Sequence, residues 1–371
     1  MNVETLIYAY LAICTAMIIF NCACVFVFRS QSRGRRHLSV QLKSTILAQL
    51  LRINSGQAVE DGHLDILRRR LSRCSHLLAL DEALEELIKE EAPGTDAYIR
   101  AIRPVFISLA VKNRYRGAME MACYGYMIKK YAIIKGVPDV IVLGAMERLL
   151  TEPSLYCRES ALQAIYSSGD IPAVIRALKY VDISGRFHHA KLLTDGLLEF
   201  NGDRGRLAQA LWEHFDSFSV PMQVVILDFI RFGGSQLGPQ LLSLLADGRR
   251  DDEVRFSCIR YFAKYPCQEA YPLLLSFVER PRERRWEYAA ISATALASYP
   301  GERSAAALKR ALNSPVWYIR FNAAKSLESF GLTYLDLSDV MDSRDRYARE
   351  ILQFQFDMQS AAEKRKEGAT V

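Results

Sequence analysis

The stretch RFNAAKSLESFG at 320–331 carries the pattern that decides the fold, and three other stretches repeat it. Each has a small or apolar residue at the fourth position, a large apolar residue at the eighth, and Gly or Pro at the twelfth. Apolar residues at steps of three and four are typical of an amphipathic helix, which Gly or Pro then ends. The other three stretches are RESALQAIYSSG at 158–169, RFSCIRYFAKYP at 255–266 and AAISATALASYP at 289–300.

The gap between the first two copies along the chain leaves room for two more, and both are present. They are KLLTDGLLEFNG at 191–202 and MQVVILDFIRFG at 222–233, so the six copies begin 33, 31, 33, 34 and 31 residues apart. Self-similarity at a fixed period is the mark of a repeat architecture. A second amphipathic stretch follows every copy, at 171–181, 206–215, 237–248, 269–279, 303–312 and 334–341.

This alternation resembles the HEAT repeat, in the short variety found in phycobilin-lyase-type repeat proteins. The best matches are VWYIRFNAAKSLESFG at 316–331 and DEVRFSCIRYFAKYP at 252–266. The resemblance covers about half of the chain, from 153 to 342, and Lys191, Met222 and Ala289 depart from its usual Arg. It implies an all-α fold, a right-handed α-solenoid of HEAT-like helical pairs, and it implies little about function.

A possible membrane anchor precedes the repeats, because no charged residue occurs from Thr5 to Phe28. Such a run is long enough to cross a bilayer, and a signal peptide or a buried helix are the alternatives. The basic flank Arg29, Arg33, Arg35 and Arg36 predicts that the N-terminus lies outside and the solenoid in the cytosol. These arginines could also contact anionic lipid headgroups. The prediction is a single-pass protein of the cell membrane.

The predicted domains are an anchor at 5–28, a basic flank and helical region at 29–150, the solenoid at 151–342, and a C-terminal helix with a charged tail at 343–371. Within the helical region, RYRGAMEMACYG at 114–125 is interpreted as a degenerate first copy of the repeat. The eight cysteines include no Cys-x-x-Cys pair. Scattered single cysteines are typical of a reducing compartment.

Composition and motifs offer no catalytic chemistry. Hydrophobic residues make up 50% and charged residues 24%, which excludes general disorder, and the net charge of +6 does not by itself indicate a nucleic-acid binder. Some HEAT-like proteins are enzymes, and the deoxyhypusine hydroxylases bind two irons through His-Glu pairs. This chain has six histidines and no His-Glu dipeptide. Its one cluster, His188-His189, makes a poor metal pair because adjacent residues on a helix face different ways.

Partners of solenoids usually bind the face lined by the second helices. The polar residues predicted for that face are more basic than the chain as a whole, which favours an acidic helix or loop as the ligand. The predicted partner-binding residues are Arg176, Lys179, Arg206, Gln209, Gln240, Lys309 and Arg310. A solvated face with no partner is the alternative.

Two arginine-rich turns between repeats form an alternative binding edge, with Arg249, Arg250, Arg282, Arg284 and Arg285. Acidic residues are interleaved with these arginines, which favours the alternative interpretation that they are solvated turns of mixed charge. A third group is aromatic and stands where first helices begin: Trp286, Tyr288, Trp317 and Tyr318. These residues are either capping staples or anchors of an interface.

Together these features predict a membrane-anchored bacterial scaffold that binds a protein partner and is not an enzyme. A membrane-associated protein is the expected partner, and a polysaccharide-synthesising glycosyltransferase is one kind. No cofactor, metal, small-molecule substrate or nucleic acid is predicted. Two other classes stay open: a HEAT-like enzyme of the lyase type and a nucleic-acid-binding solenoid.

Overall fold

The computed structural model of the protein describes residues 3–112, 117–186, 188–234, 236–332 and 335–368. Helices and turns make up these described residues, with no strand among them. The chain divides into two compact units. The first unit contains 1–186 and 199–203, and the second contains 187–198 and 204–371.

The first unit pairs long and short helices in the same alternation as the repeats, although its first half shows no period in sequence. Helix α1 packs against α3, α3 against α6, and α6 against α8, while α2 contacts α5 and α5 contacts α7. Its described helices are α1 (Val3–Asn54), α2 (Asp61–Arg70), α3 (Cys74–Lys89), α4 (Thr95–Ala101), α5 (Arg103–Lys112), α6 (Ala118–Lys130), α7 (Val140–Leu149), α8 (Leu155–Ser168) and α9 (Ile171–Ile183).

Helix α6 corresponds to the degenerate copy predicted at 114–125, but it lies further along the chain. It continues past Gly125 to Lys130, and Arg114 lies outside the described residues. Gly125 sits where α6 meets α8: a Cβ there would stand 3.0 Å from the Ser160 hydroxyl. The glycine therefore permits close packing of two helices and does not end one.

One cysteine pair departs from the interpretation of single thiols. Cys74 of α3 and Cys123 of α6 form a disulfide, with their Cα atoms 6.0 Å apart. The two residues are 49 positions apart in sequence, so spacing gives no hint of the pair; only the packing of α3 on α6 brings them together. Cys157 and Cys258 are buried free thiols, and Cys267 is half-buried.

The predicted membrane anchor lies within α1, which continues through the basic flank. Its apolar side chains between Tyr10 and Phe26 are largely exposed. In the part of the chain whose side chains are described, no helix combines the length and apolar character that a membrane crossing requires. The side chains of Thr5 and Phe28, which bound the predicted anchor, lie outside the described residues. The predicted anchor and the single-pass location at the cell membrane are corrected on this finding.

The second unit stacks its first helices in one series, in which α10, α12, α14, α16, α18 and α20 each contact the next. The second helices α11, α13, α15 and α17 each pack against the first helix that follows. Its described helices are α10 (Ala190–Leu198), α11 (Arg204–Glu213), α12 (Val220–Gly233), α13 (Gly238–Ala246), α14 (Asp252–Lys264), α15 (Tyr271–Glu279), α16 (Trp286–Ala295), α17 (Glu302–Ala311), α18 (Trp317–Ser329), α19 (Ser338–Met341) and α20 (Arg346–Gly368). Five of the six predicted copies begin in first helices of this unit and the remaining copy begins in α8 of the first unit, which supports the prediction of an all-helical α-solenoid.

Small side chains at the fourth position are buried where first helices meet. Ala161, Cys258, Ser292 and Ala323 are completely buried, as the repeat pattern predicts. Lys325, two residues beyond Ala323, is exposed. The twelfth position also follows the prediction where Gly169 and Gly331 end their helices at φ of 76° and 70°. That left-handed conformation is one that glycine adopts without strain.

In α8, α18 and α20 an arginine near the start of the first helix ties that helix to the turn before it. The guanidinium of Arg320 donates to the carbonyl of Ser314 at 2.6 Å, and that of Arg158 donates to the carbonyl of Pro153 at the same distance. Arg349 of α20 makes the equivalent contact with Ser343 at 2.8 Å. Helix α20 therefore begins as the first helix of a further repeat, which the sequence analysis assigned only as a C-terminal helix.

The close approach at Ala323 gives a test of the helix register. We expect Ala323→Leu to destabilise the fold by about 1–3 kcal/mol, because the added atoms overpack a contact with no free space. The matched change Lys325→Leu alters an exposed side chain and should shift the free energy of unfolding by about 0.5 kcal/mol or less. Urea denaturation of both variants measures the difference. Equal losses would show that the assigned faces of α18 are wrong.

The Cys258 thiol offers a second test. Burial raises its pKa to about 12, outweighing the opposite effect of nearby Arg255. The thiol stays protonated and shielded at neutral and mildly alkaline pH, so we expect it to resist alkylation by iodoacetamide in the folded protein and to react in denaturant. Half-buried Cys267 is the internal control and should react first. Mass spectrometry of the two peptides measures both rates, and equal native-state labelling would contradict the burial of position four.

Candidate partner-binding surface

Helix α17 presents the most clearly divided faces of the second-helix series. Ser304, Ala307, Leu308 and Ala311 are buried. The charged residues of α17 lie on the other side, where small side chains such as that of Ala306 are exposed. Apolar and polar positions alternate with the helical period, which fixes which side of α17 meets solvent.

The next second helix, α19, is a single turn and leaves much of this polar side uncovered. The stretch predicted to form it begins at 334, whereas α19 begins at Ser338. Beside α17 lies an open cleft of about 560 Å³, which we call the second-helix cleft. Its lining residues are Glu302, Ala305, Ala306, Lys309, Arg310, Asn313, Asp339, Val340 and Ser343.

Two predicted partner-binding residues, Lys309 and Arg310, lie together in this cleft and are held by opposite neighbours. The Lys309 ammonium donates to the Asp339 carboxylate at 2.8 Å and to the Asp336 carbonyl at 2.7 Å. The Arg310 guanidinium donates to Glu279 of α15 at 2.9 Å. The Arg310 side chain keeps 63% of its surface exposed, and exposed pairs of this kind are worth about 0–1 kcal/mol. Arg310 is therefore positioned by Glu279 while most of its side chain stays exposed, whereas the Lys309 side chain keeps only 23% of its surface exposed.

The other predicted residues of the second unit lie elsewhere. Arg206 and Gln209 are exposed on α11, where the Gln209 amide contacts Glu213 at 3.5 Å. Gln240 is half-buried on α13, and its amide oxygen accepts no hydrogen bond from the described residues. The structure does not place these three in the second-helix cleft.

Arg176 and Lys179 belong to α9 of the first unit. Arg176 pairs with Glu147 of α7 at 2.8 Å, and Lys179 is half-buried. The Arg176–Glu147 pair repeats the relation of Arg310 to Glu279: a cation on one second helix meets an acid on the preceding one. Sequence reasoning counted the basic residues of this face and missed the acids that the repeat spacing brings beside them.

The alternative edge is also largely paired. Arg249 contacts Asp247 at 3.0 Å, and Arg250 forms an ion pair with Asp216. Arg285 reaches Glu287 at 2.6 Å and Asp252 at 3.4 Å, and the second contact joins the two arginine-rich turns. Two members differ: Arg282 and Arg284 are exposed and have no carboxylate partner among the described residues.

The aromatic residues at first-helix starts divide into two kinds. Tyr288 is buried, and its hydroxyl donates to Asp252 at 2.6 Å while accepting from Arg255 at 2.9 Å. Burial and the hydrogen bond to Asp252 raise the pKa of Tyr288, so the hydroxyl stays a neutral structural link. The rings of Trp286, Trp317 and Tyr318, in contrast, are 40%, 50% and 57% exposed.

Helix α20 extends this exposed aromatic surface with two residues that the sequence analysis did not name, Tyr347 and Phe354. They line a second open cleft of about 320 Å³ together with Trp317 and Arg320. The Arg320 guanidinium lies 5.3 Å from the centre of the Tyr347 ring. Arg349 holds the position of the repeat arginine. This signal in the sequence predicts a first helix that begins near Tyr347.

The four arginines predicted as a membrane flank lie on α1. Arg35 forms an ion pair with Glu82 of α3, while Arg29, Arg33 and Arg36 are exposed. His189 lies immediately before α10, where its Nδ1 accepts the Lys191 amide hydrogen at 3.2 Å, as expected at the start of a helix. Among the residues that the structure describes, no cluster of three His, Cys, Asp or Glu side chains is arranged to hold a metal ion.

Solved structures similar to this chain include human deoxyhypusine hydroxylase in complex with glycerol. Sequence identity is 15% and the TM-score is 0.27, over 81% of this chain and 96% of that chain. That protein is an enzyme, so the prediction that this chain is not an enzyme is corrected. At this level of likeness the match carries no argument about a reaction, a substrate or a metal.

No curated protein matches this chain. The HEAT repeat family model matches residues 238–328, which includes α13 through most of α18 and the helix that carries Lys309 and Arg310. This match supports the prediction of a HEAT-repeat protein, and repeats of this kind form helical scaffolds for protein interaction.

Proposed function

We propose that this chain is a scaffold that holds a protein partner in the second-helix cleft of its second unit. The observation that carries the proposal is the open cleft of about 560 Å³ beside α17, with Lys309 and Arg310 at its rim. Its small lining residues, Ala305 and Ala306, leave space for a partner's side chains. The HEAT-repeat match over the same helices supports a binding role for this region.

The rim charges favour an acidic helix or loop as the bound segment. Arg310 contacts Glu279 through one guanidinium nitrogen, and a guanidinium carries five N–H donors in a planar fork. It can therefore keep Glu279 and still donate to a partner carboxylate, in the bidentate geometry that arginine prefers. Lys309 can share its ammonium between Asp339 and a second carboxylate in the same way. No residue or comparison supports a glycosyltransferase as the partner, so the proposal names it by chemistry alone.

Charge reversal at the rim tests the proposal. We expect the double variant Lys309→Glu with Arg310→Glu to reduce recovery of co-purifying protein several-fold, most strongly at low salt, because interface charges govern association rate and salt dependence. Quantitative mass spectrometry after affinity purification of the full chain gives the measurement. Melting temperature shows whether the lost pairs with Asp339 and Glu279 affect folding.

Two further variants sharpen this experiment. Ala306→Trp fills the cleft without breaking an ion pair, and it should lose the same proteins as the double variant. Lys325→Glu reverses one exposed charge on a first helix. This variant should still recover the co-purifying proteins. Loss of the partner in Lys325→Glu, with retention in Ala306→Trp, would place the binding face on the first helices and overturn the proposal.

A further inference from the structure

A smaller cleft of about 310 Å³ lies beside the second-helix cleft and shares Arg310 and Asn313 with it. It is formed where the turn before α16 meets the turn before α18. We call it the tryptophan cleft. Its walls include Pro281, Arg282, Trp286, Pro315 and Val316. Both turns belong to the second unit, so the cleft is a feature of that unit alone.

Trp286 is held in place by the next repeat. It is the first residue of α16, and its ring stacks on Tyr318 of α18 at 5.5 Å between centres and 17° between planes. Tyr318 in turn meets the edge of Trp317 at 5.2 Å. The tryptophan ring is therefore rigid and yet 40% exposed. Rigid exposed aromatic rings lose little entropy on binding and are common anchors of interfaces.

Several other lining residues of this cleft are apolar and offer few hydrogen-bond donors of their own. Pro281 and Pro315 carry no backbone N–H, and Val316 adds an aliphatic surface. The polar groups that remain at the cleft include the amide of Asn313 and the hydroxyl of Ser314. Such a surface suits an extended chain whose apolar rings stack against tryptophan and whose carbonyls accept from a few donors.

The charged side chains around the cleft that lack an opposite partner among the described residues are positive. Glu279 lies in the cleft but is bound by Arg310. Arg282 at the cleft and Arg284 beside it are exposed without a carboxylate partner among the described residues. The Arg284 guanidinium lies 5.6 Å from the centre of the Tyr288 ring, which positions its charge without neutralising it. Acidic residues in the bound segment would supply the missing partners.

We propose that the tryptophan cleft binds an extended segment of a partner protein in which prolines alternate with acidic residues. A proline ring stacks on Trp286 between the cleft walls, and the flanking carboxylates pair with Arg282 and Arg284. Proline-rich segments are already extended before they bind, which keeps the entropy cost of docking on an open surface low. The inference rests on the proposed function in one respect, since it gives the same partner a second contact site next to Arg310.

A synthetic fluorescein-labelled peptide of repeated Glu-Glu-Pro-Pro units tests this inference on the full chain. Fluorescence anisotropy should show saturable binding that weakens as salt increases. Peptides of repeated Lys-Lys-Pro-Pro or Glu-Glu-Gly-Gly should bind more weakly. We expect Trp286→Ala to weaken binding at least about tenfold, and Arg282→Glu to weaken it and reduce the salt dependence.

Tyr347→Ala is the control, because Tyr347 is an exposed aromatic residue near the start of α20 and does not line the tryptophan cleft. It should leave peptide affinity within about twofold, and melting temperatures should show that both variants fold. Equal loss in Trp286→Ala and Tyr347→Ala, or absence of binding by the acidic proline peptide, overturns the inference. The Ala306→Trp variant separates the two proposals. Peptide binding lost in that variant and kept in Trp286→Ala would assign the segment to the second-helix cleft, against this inference and in agreement with the proposed function.

Discussion

The close approach of successive first helices is the constraint on which the rest of the molecule depends. Two helices can lie this near only where the side chain between them is small, and Ala323 and Ser292 meet that condition with no exposed surface at all. The same contact line carries polar links: the hydroxyl of Ser326 donates to the carbonyl of Ala293 at 2.8 Å, and the Asn322 amide donates to that of Ala290 at the same distance. These hydrogen bonds join neighbouring first helices, whereas the buried Ser292 hydroxyl on the same contact line has no hydrogen-bond partner among the described residues.

In several repeats an arginine completes the constraint by fixing the first helix to the segment before it. Arg255 is 1% exposed, and a charge so deeply buried is tolerable only when it is well partnered. Its guanidinium donates to the carbonyl of Leu245 at 3.0 Å and to the hydroxyl of Tyr288, which binds Asp252. One side chain therefore connects the end of α13, the start of α14 and the start of α16. Because α16 is held at its first turn, Trp286 takes a fixed position at the surface.

The stacking period also arranges charge. Second helices one repeat apart place an acid of one beside a base of the next, as in Arg310 with Glu279. This pairing holds long side chains in defined positions. Where a neighbour is short, as α19 is, the pairing continues through Asp339 but the surface opens into a cleft. Both candidate binding regions arise at this end of the repeat series, where the regular covering of one helix by the next is incomplete.

The sequence by itself determined the periodic part of this protein. The spacing of small residues, large apolar residues and helix-ending glycines predicted six first helices and five of the second helices that follow them. This spacing is a local property that recurs along the chain. It also identified Lys309 and Arg310 as neighbours on one face. Tertiary structure alone decided what lies across from them: the acids on adjacent helices, the Cys74–Cys123 pair, and the division of the aromatics into buried Tyr288 and exposed Trp286. Those outcomes depend on contacts between residues about 30 to 50 positions apart, and the distance between such residues is set by how helices stack. A pattern read along one helix therefore predicts which side chains face outward, whereas the packing of its neighbours determines which of them stay available to a partner.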